Sequence, residues 1–72
     1  METEAVVIDY TNWKGNRRFR RIVPKPNGLE FRSNQFHPTK QWLLEAFDLD
    51  DREYRSFALS SIHSWTPLGE TR

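Results

Sequence analysis

The stretch RRFRRIVPKPNGLEFR, residues 17–32, decides how the rest of the chain is read. Its first half alternates. Phe19, Arg21 and Val23 share one parity, while Arg18, Arg20 and Ile22 share the other, the period of a strand with two unlike faces. Pro24 and Pro26 cannot donate to a ladder, so the strand is predicted to end there or to run along an edge. Asn27-Gly28 is a strong hairpin signal, because both residues tolerate the positive φ of a type I′ turn. Beyond it, Leu29 and Phe31 share one face of the next run.

Toward the N-terminus, AVVIDYT (residues 5–11) is rich in β-branched and aromatic types and ends in the turn composition Asn12-Trp13-Lys14-Gly15-Asn16. Toward the C-terminus, SNQFHPTK (33–40) reads as a connecting loop. The run QWLLEAFDL (41–49) fits either a buried strand or a short helix, which periodicity alone does not separate. Asp50-Asp51-Arg52-Glu53 is a charged turn, after which Arg55, Phe57 and Leu59 alternate and Ile62 follows. The tail LGETR is predicted to fray. Period-two placement nominates Ile8, Tyr10, Ile22, Trp42, Leu44, Phe57, Leu59 and Ile62 as the core.

Short strands at about ten-residue spacing, separated by turn signals, predict an all-β small barrel or strongly bent sheet. Closure suits a chain of 72 residues, since an open sheet of this size leaves costly edges. One domain over 1–72, with its core at about 6–65, is the most that such a length supports. The absence of cysteine excludes a disulfide scaffold, a thiolate zinc site and a cysteine nucleophile. No apolar run approaches a membrane span, and the opening METEAVV lacks the regions of a signal peptide. A cytoplasmic setting is expected.

The net charge of +1 hides an asymmetry. From Lys14 to Arg32 the segment carries +6, and from Glu45 to Glu53 it carries −4. Such a basic segment can present a face to an anion, or the two segments can be solvated faces that partly neutralise each other.

The order of short patterns resembles the WYL domain. The resemblance rests on Ile8 and Tyr10 (I-x-Y), Gly15, Arg20, Ile22 and Pro24 (R-x-I-x-P), Leu29, QWLLEA with Trp42-Leu43-Leu44, and Arg55, Phe57, Leu59 and Ile62 (R-x-F-x-L-x-x-I). It spans about residues 6 to 65. The resemblance implies an Sm-like (SH3-like) five-stranded β-barrel. It also implies a ligand, often a nucleotide or single-stranded nucleic acid, whose binding controls an attached activity. The family is found mostly at the C-terminal side of bacterial transcription regulators and in some defence-associated proteins. Two departures stand out: Leu43 takes the place of the family's tyrosine, and Ser60-Ser61 stand where Asp-Arg often precedes the final isoleucine. No winged-helix or helix-turn-helix segment is expected ahead of the first strand, so the chain is expected to act through a partner or as a subunit.

Parity bears on the site independently. Arg20 has the parity of Ile22, and Arg55 that of Phe57 and Leu59, so both arginines are predicted to face the core side near strand ends. A charge there must be paired. Either each meets a carboxylate, with Asp9, Glu45 or Asp48 as candidates, or the two form an anion site at the barrel mouth. A slip of register, leaving both exposed, is the third possibility. The candidate ligand-binding set is Arg20, Arg55, Arg18, His37 and Trp42.

His37, beside Pro38, can bond a ligand or simply order its loop. His63 is predicted to be exposed, and two histidines 26 positions apart are a poor metal signal. Trp42 reads as core, whereas Trp13 and Trp65 are surface candidates for stacking on bases. The acids at 48–53 read as a solvated turn without the ligand pattern of a calcium loop. No Gly-x-Ser-x-Gly context, phosphate loop or nucleophile–base pair can be assembled, so neither enzymatic activity nor a cofactor is expected. Two classes remain: a regulatory module for a nucleotide or single-stranded nucleic acid, and a small-barrel module for a protein partner or a second copy. Salt separates them, because phosphate contacts release counterions.

Overall fold

The structure is a computed structural model that describes residues 4–68. Four of the five residues of the tail LGETR, 69–72, lie outside the described residues. Five antiparallel strands form one sheet: β1 (Val6–Thr11), β2 (Arg17–Arg32), β3 (Gln41–Asp48), β4 (Glu53–Ala58) and β5 (Ile62–Pro67). A 3₁₀ turn, Leu59–Ser61, joins the last two. The run 41–49 is therefore a strand. The spatial order β4-β3-β2-β1-β5 sets the first strand of the chain beside the last and leaves β4 and β5 at the two ends. The protein is thus all-β and five-stranded, but among the described residues the pairing gives an open sheet rather than a closed barrel.

The longest strand departs from its sequence reading. Of the two alternatives at the prolines the edge holds and the end does not: β2 runs through both to Arg32 and beyond Ile22 pairs with β3 alone, while the hairpin at Asn27-Gly28 does not occur. Between the pairs Pro24↔Ala46 and Leu29↔Leu44, residues 25–28 face Glu45 alone, a bulge that bends the strand. Of the two candidate turn residues, only Asn27 takes positive φ, at 59°. Gly28 is required for another reason, since a Cβ there would meet the Glu45 carbonyl oxygen at 2.6 Å and the Lys25 carbonyl oxygen at 2.8 Å. The bend lets one strand pair with β1 through residues 17–22 and with β3 beyond.

Register decides which side chains meet, because directly opposed residues share a face. Val6 opposes Ile22, Leu44 opposes Phe57, and Tyr10 opposes Ile62. These residues, with Ile8 and Ala46, form the core, in which Phe57 stands edge-on to Tyr10 at 4.9 Å between centroids. Buried Tyr10 also accepts a hydrogen bond at its hydroxyl from the Ala58 N–H, at 3.1 Å. Burial raises the pKa of that hydroxyl, against the opposing pull of the Ala58 N–H and Arg20.

Of the predicted core residues, Ile62 is only half-buried against the core, and two are exposed. Trp42 has the inward parity of Leu44 but stands one step beyond the packed layer, 51% exposed against Phe31. Leu59 falls in the 3₁₀ turn, where strand alternation stops, and is also exposed. Conversely, Leu43 is buried opposite Ala58 on the other face of β3, against which the 3₁₀ turn lies.

Candidate functional site

The inward row of β2 is Arg18, Arg20 and Ile22, opposite Tyr10, Ile8 and Val6. On β3 the inward row continues from Ala46 to Asp48, which opposes Ile22. Arg55 of β4 opposes Ala46, and Glu53 opposes Asp48. The register thus brings Arg20, Arg55 and Asp48 to one end of the core face, from positions 28 and 7 residues distant from Asp48 in sequence.

Arg20 Nη1 donates to Asp48 Oδ2 at 2.8 Å, and the two side chains are only 9% and 1% exposed. The other oxygen of Asp48 accepts the backbone N–H groups of Asp50 and Asp51, both at 3.0 Å. Arg52, at φ 58°, completes the turn by donating its N–H to the Asp48 carbonyl. One carboxylate thereby neutralises a buried arginine and shapes the β3–β4 turn. That turn carries Asp51, whose Oδ2 accepts from Arg55 Nη2 at 2.9 Å and Arg20 Nη1 at 3.5 Å, and lies 3.8 Å from Arg18 Nη2. Glu53 takes a further bond from Arg55, at 2.6 Å.

Of the candidate carboxylates for these arginines, Asp48 is the partner. Asp9 instead holds Arg17, and Glu45 stands 3.5 Å from Lys25. The acids of 48–53 are not simply a solvated turn: Asp48 is inside, and Asp51 and Glu53 engage the arginines. The signal lay in parity, since Asp48 continues the series Leu44, Ala46. Even so, the Nε–H groups of Arg20 and Arg55 are buried and have no hydrogen-bond partner among the described residues. Buried donors without a partner are uncommon and costly.

Both arginines line a cavity of about 450 Å³. Its wall includes Trp13, Phe36, His37 and Tyr54. Two asparagines build that wall. Asn12 Oδ1 accepts the N–H groups of Lys14 and Asn16, and Asn34 Oδ1 accepts those of Phe36 and His37, closing the β1–β2 and β2–β3 loops. The loops meet through Trp13 and Phe36, whose centroids are 5.4 Å apart, while Lys14 Nζ lies over the indole. His37 Nδ1 donates to Asn34 Oδ1 at 3.2 Å, which leaves Nε2 able to accept. Burial, and secondarily the charge of Arg32, lowers the pKa of His37 and favours its neutral form.

The structure therefore brings Arg20, Arg55 and His37 to one cavity. Arg18 stands at the edge of the ion cluster, 58% exposed, outside the lining, as are Trp42 and Trp65. His63 is exposed and bonds Thr11 Oγ1 at 2.7 Å. Asn12, Asn34 and Tyr54 were not singled out by sequence reasoning. The two asparagines signal only loop closure, which becomes a site wall when the loops meet. Among the described residues, no His, Asp or Glu cluster suits a metal, and no helix is long and apolar enough to cross a membrane.

The family model described as WYL domain matches residues 1–67. No curated protein matches the chain.

Proposed function

We propose a function from one established premise, that the chain belongs to the WYL domain family: it is a non-enzymatic regulatory module that binds a ligand. The ligand we propose is a nucleotide or the end of a single-stranded nucleic acid, held in the cavity beside Arg20 and Arg55. The observation that carries this reading is that Arg20 and Arg55, whose Nε–H groups are buried without a hydrogen-bond partner, line a cavity whose wall also holds aromatic rings. An incoming anion would pair with the two guanidinium groups, and a base would stack on Trp13, Phe36 or Tyr54, an interaction worth about 1–3 kcal/mol per base. The chain would pass this event to an effector protein or a second copy of itself, in a cytoplasmic setting. We also take the sheet to curl toward an Sm-like barrel, a reading supported by the pairing of β1 with β5 and by the bend in β2.

Titration of the full chain with short single-stranded oligonucleotides and mononucleotides at about 50 mM salt tests the reading, since phosphate contacts are strongest there. Binding should weaken as salt rises and be lost in Arg55→Gln, whose side chain is 39% exposed and so less essential to the fold than Arg20. Absence of binding by the wild type at that salt would sink the nucleic-acid version.

A second reading is favoured by the ion pairs themselves. Arg20 and Arg55 each hold carboxylates, as an interaction module with internally satisfied arginines requires. A salt-insensitive complex with a protein or a second copy, unaffected by Arg55→Gln, would support it.

A further inference from the structure

Asp51 stands where three arginines converge. Its Oδ2 lies 2.9 Å from Arg55, 3.5 Å from Arg20 and 3.8 Å from Arg18, which come from two strands. Only the first is a short charge-assisted bond, for which about 2.7–2.9 Å is typical. Asp48 also holds Arg20 and Arg55, and Glu53 holds Arg55, yet this one Asp51 oxygen faces three forks and stands at long range from two of them. The Nε–H groups of Arg20 and Arg55 are also left over, although the Arg20 side chain is more than nine-tenths buried. Three guanidinium groups present more N–H donors than the single Asp51 oxygen can accept. A tetrahedral oxoanion, with at least three accepting oxygens, fits them better.

The turn that carries Asp51 does not depend on this side chain. It is held by Asp48, through the N–H groups of Asp50 and Asp51 at Oδ1 and that of Arg52 at the carbonyl. Asp51 can thus leave the arginines while its backbone stays anchored. Its carboxylate is also one-third exposed, so an anion can reach it from solvent.

We propose that Asp51 is an internal stand-in for a phosphate group: its carboxylate occupies the anion subsite of Arg18, Arg20 and Arg55, and a phosphate-bearing ligand binds by displacing it. This rests on the ligand site proposed above and adds a built-in competitor to it. The subsite is latched in the free protein, so apparent affinity is the intrinsic affinity scaled by the unlatched fraction. Displacement also frees the β3–β4 turn side chain, which makes occupancy of the site visible at the sheet end where β4 begins.

The test is titration of the full chain with inorganic phosphate, followed by NMR at the arginine Nε–H signals, in the wild type, Asp51→Ala and Asp51→Asn. Both variants should bind phosphate about tenfold or more tightly than the wild type, as the closed fraction is removed. Glu53→Gln, which removes a partner of Arg55 alone, should gain less. Denaturation curves identify which Asp51 variant stays folded, and Asp51→Asn keeps both the side-chain volume and the N–H to Asp48. Equal or weaker phosphate binding by a folded variant would overturn the proposal. An oligonucleotide titration keeps the two readings apart. Oligonucleotide binding by the wild type with no phosphate gain in the variants overturns the latch alone. A phosphate gain with no oligonucleotide binding by any chain supports the latch and removes the nucleic-acid ligand.

Discussion

Strand β2 carries two kinds of arginine–aspartate pair on its opposite faces. On the inner face Arg20 meets Asp48, at 9% and 1% side-chain exposure. On the outer face Arg17 meets Asp9 and Arg21 meets Asp50, with both arginines more than half exposed. The bond lengths hardly differ, at 2.8 Å for Arg20 and 2.9 Å for Arg17. The consequences do, because the inner charges have lost their water and depend on each other, whereas the outer ones remain solvated and screened. Distance identifies a pair, and burial decides its importance. The same strand therefore holds a structural ion pair and a solvated surface, alternating residue by residue.

The largest expected effect would break this contrast at its inner side. Arg20→Gln removes the short ion pair of buried Asp48, leaving it only Arg55 Nε at 3.7 Å, and should cost about 3–5 kcal/mol in chemical denaturation. The outer counterpart, Arg17→Gln, should leave the denaturation midpoint close to that of the wild type at moderate salt. Comparable losses at the two positions would refute the burial argument.

Phenylalanines sharpen the comparison without charge. Phe57, 1% exposed, should lose about 3–5 kcal/mol on replacement by alanine, through lost burial and the cavity left behind. Phe19, 69% exposed on the outer face of β2, should change stability by no more than about 0.5 kcal/mol. If Phe19→Ala were as costly as Phe57→Ala, the outer face would be covered in solution, and sedimentation would then reveal the covering partner.

Tyr10→Phe comes next in size. It removes the acceptor of the buried Ala58 N–H while keeping the ring against Phe57, for an expected cost of about 1–3 kcal/mol. An unchanged unfolding free energy would mean that the amide finds another acceptor.

The smallest effect is a pH dependence from the loop that walls the cavity. Folding lowers the pKa of His37, so below the ordinary histidine value the unfolded chain binds more protons than the folded one. Stability from this group is therefore present above about pH 6.5 and declines as pH falls toward the lower folded value. Melting temperatures measured between pH 7 and 5 should fall slightly, and less in His37→Gln. An identical slope in the variant would assign the dependence to other groups.

Much of this contrast is legible in residues 17–24 and 53–57. The alternation of Arg20 with Ile22, and of Arg55 with Phe57, assigns both arginines to the core side, and there they lie. Trp42 shows where the same logic stops. Parity gives its face correctly but not its depth, and the packed layer ends at Leu44. Leu43 shows the converse, since an outward parity does not exclude cover by the 3₁₀ turn. Asn27-Gly28 carries a turn signal for a bend that remains within one strand, because only Asn27 takes positive φ and residues 25–28 bulge against Glu45.

The amino-acid sequence by itself determined the predominantly β character and the side of the strand that Arg20 and Arg55 occupy. Both follow from local chemistry, the preference of β-branched and aromatic residues for extended backbone and the two-residue period of that backbone. Only the tertiary structure decided that Asp48 rather than Asp9 or Glu45 meets Arg20, that Asp51 reaches three arginines, and that Trp13 and Phe36 close a wall. Apart from Asp51 and Arg55, which are four residues apart, these are meetings between residues 23 to 33 positions apart. They depend on the register across β1, β2 and β3 and on where the β2 bulge falls, and shifting β2 or β3 by one residue would turn Arg20 or Asp48 to the other face.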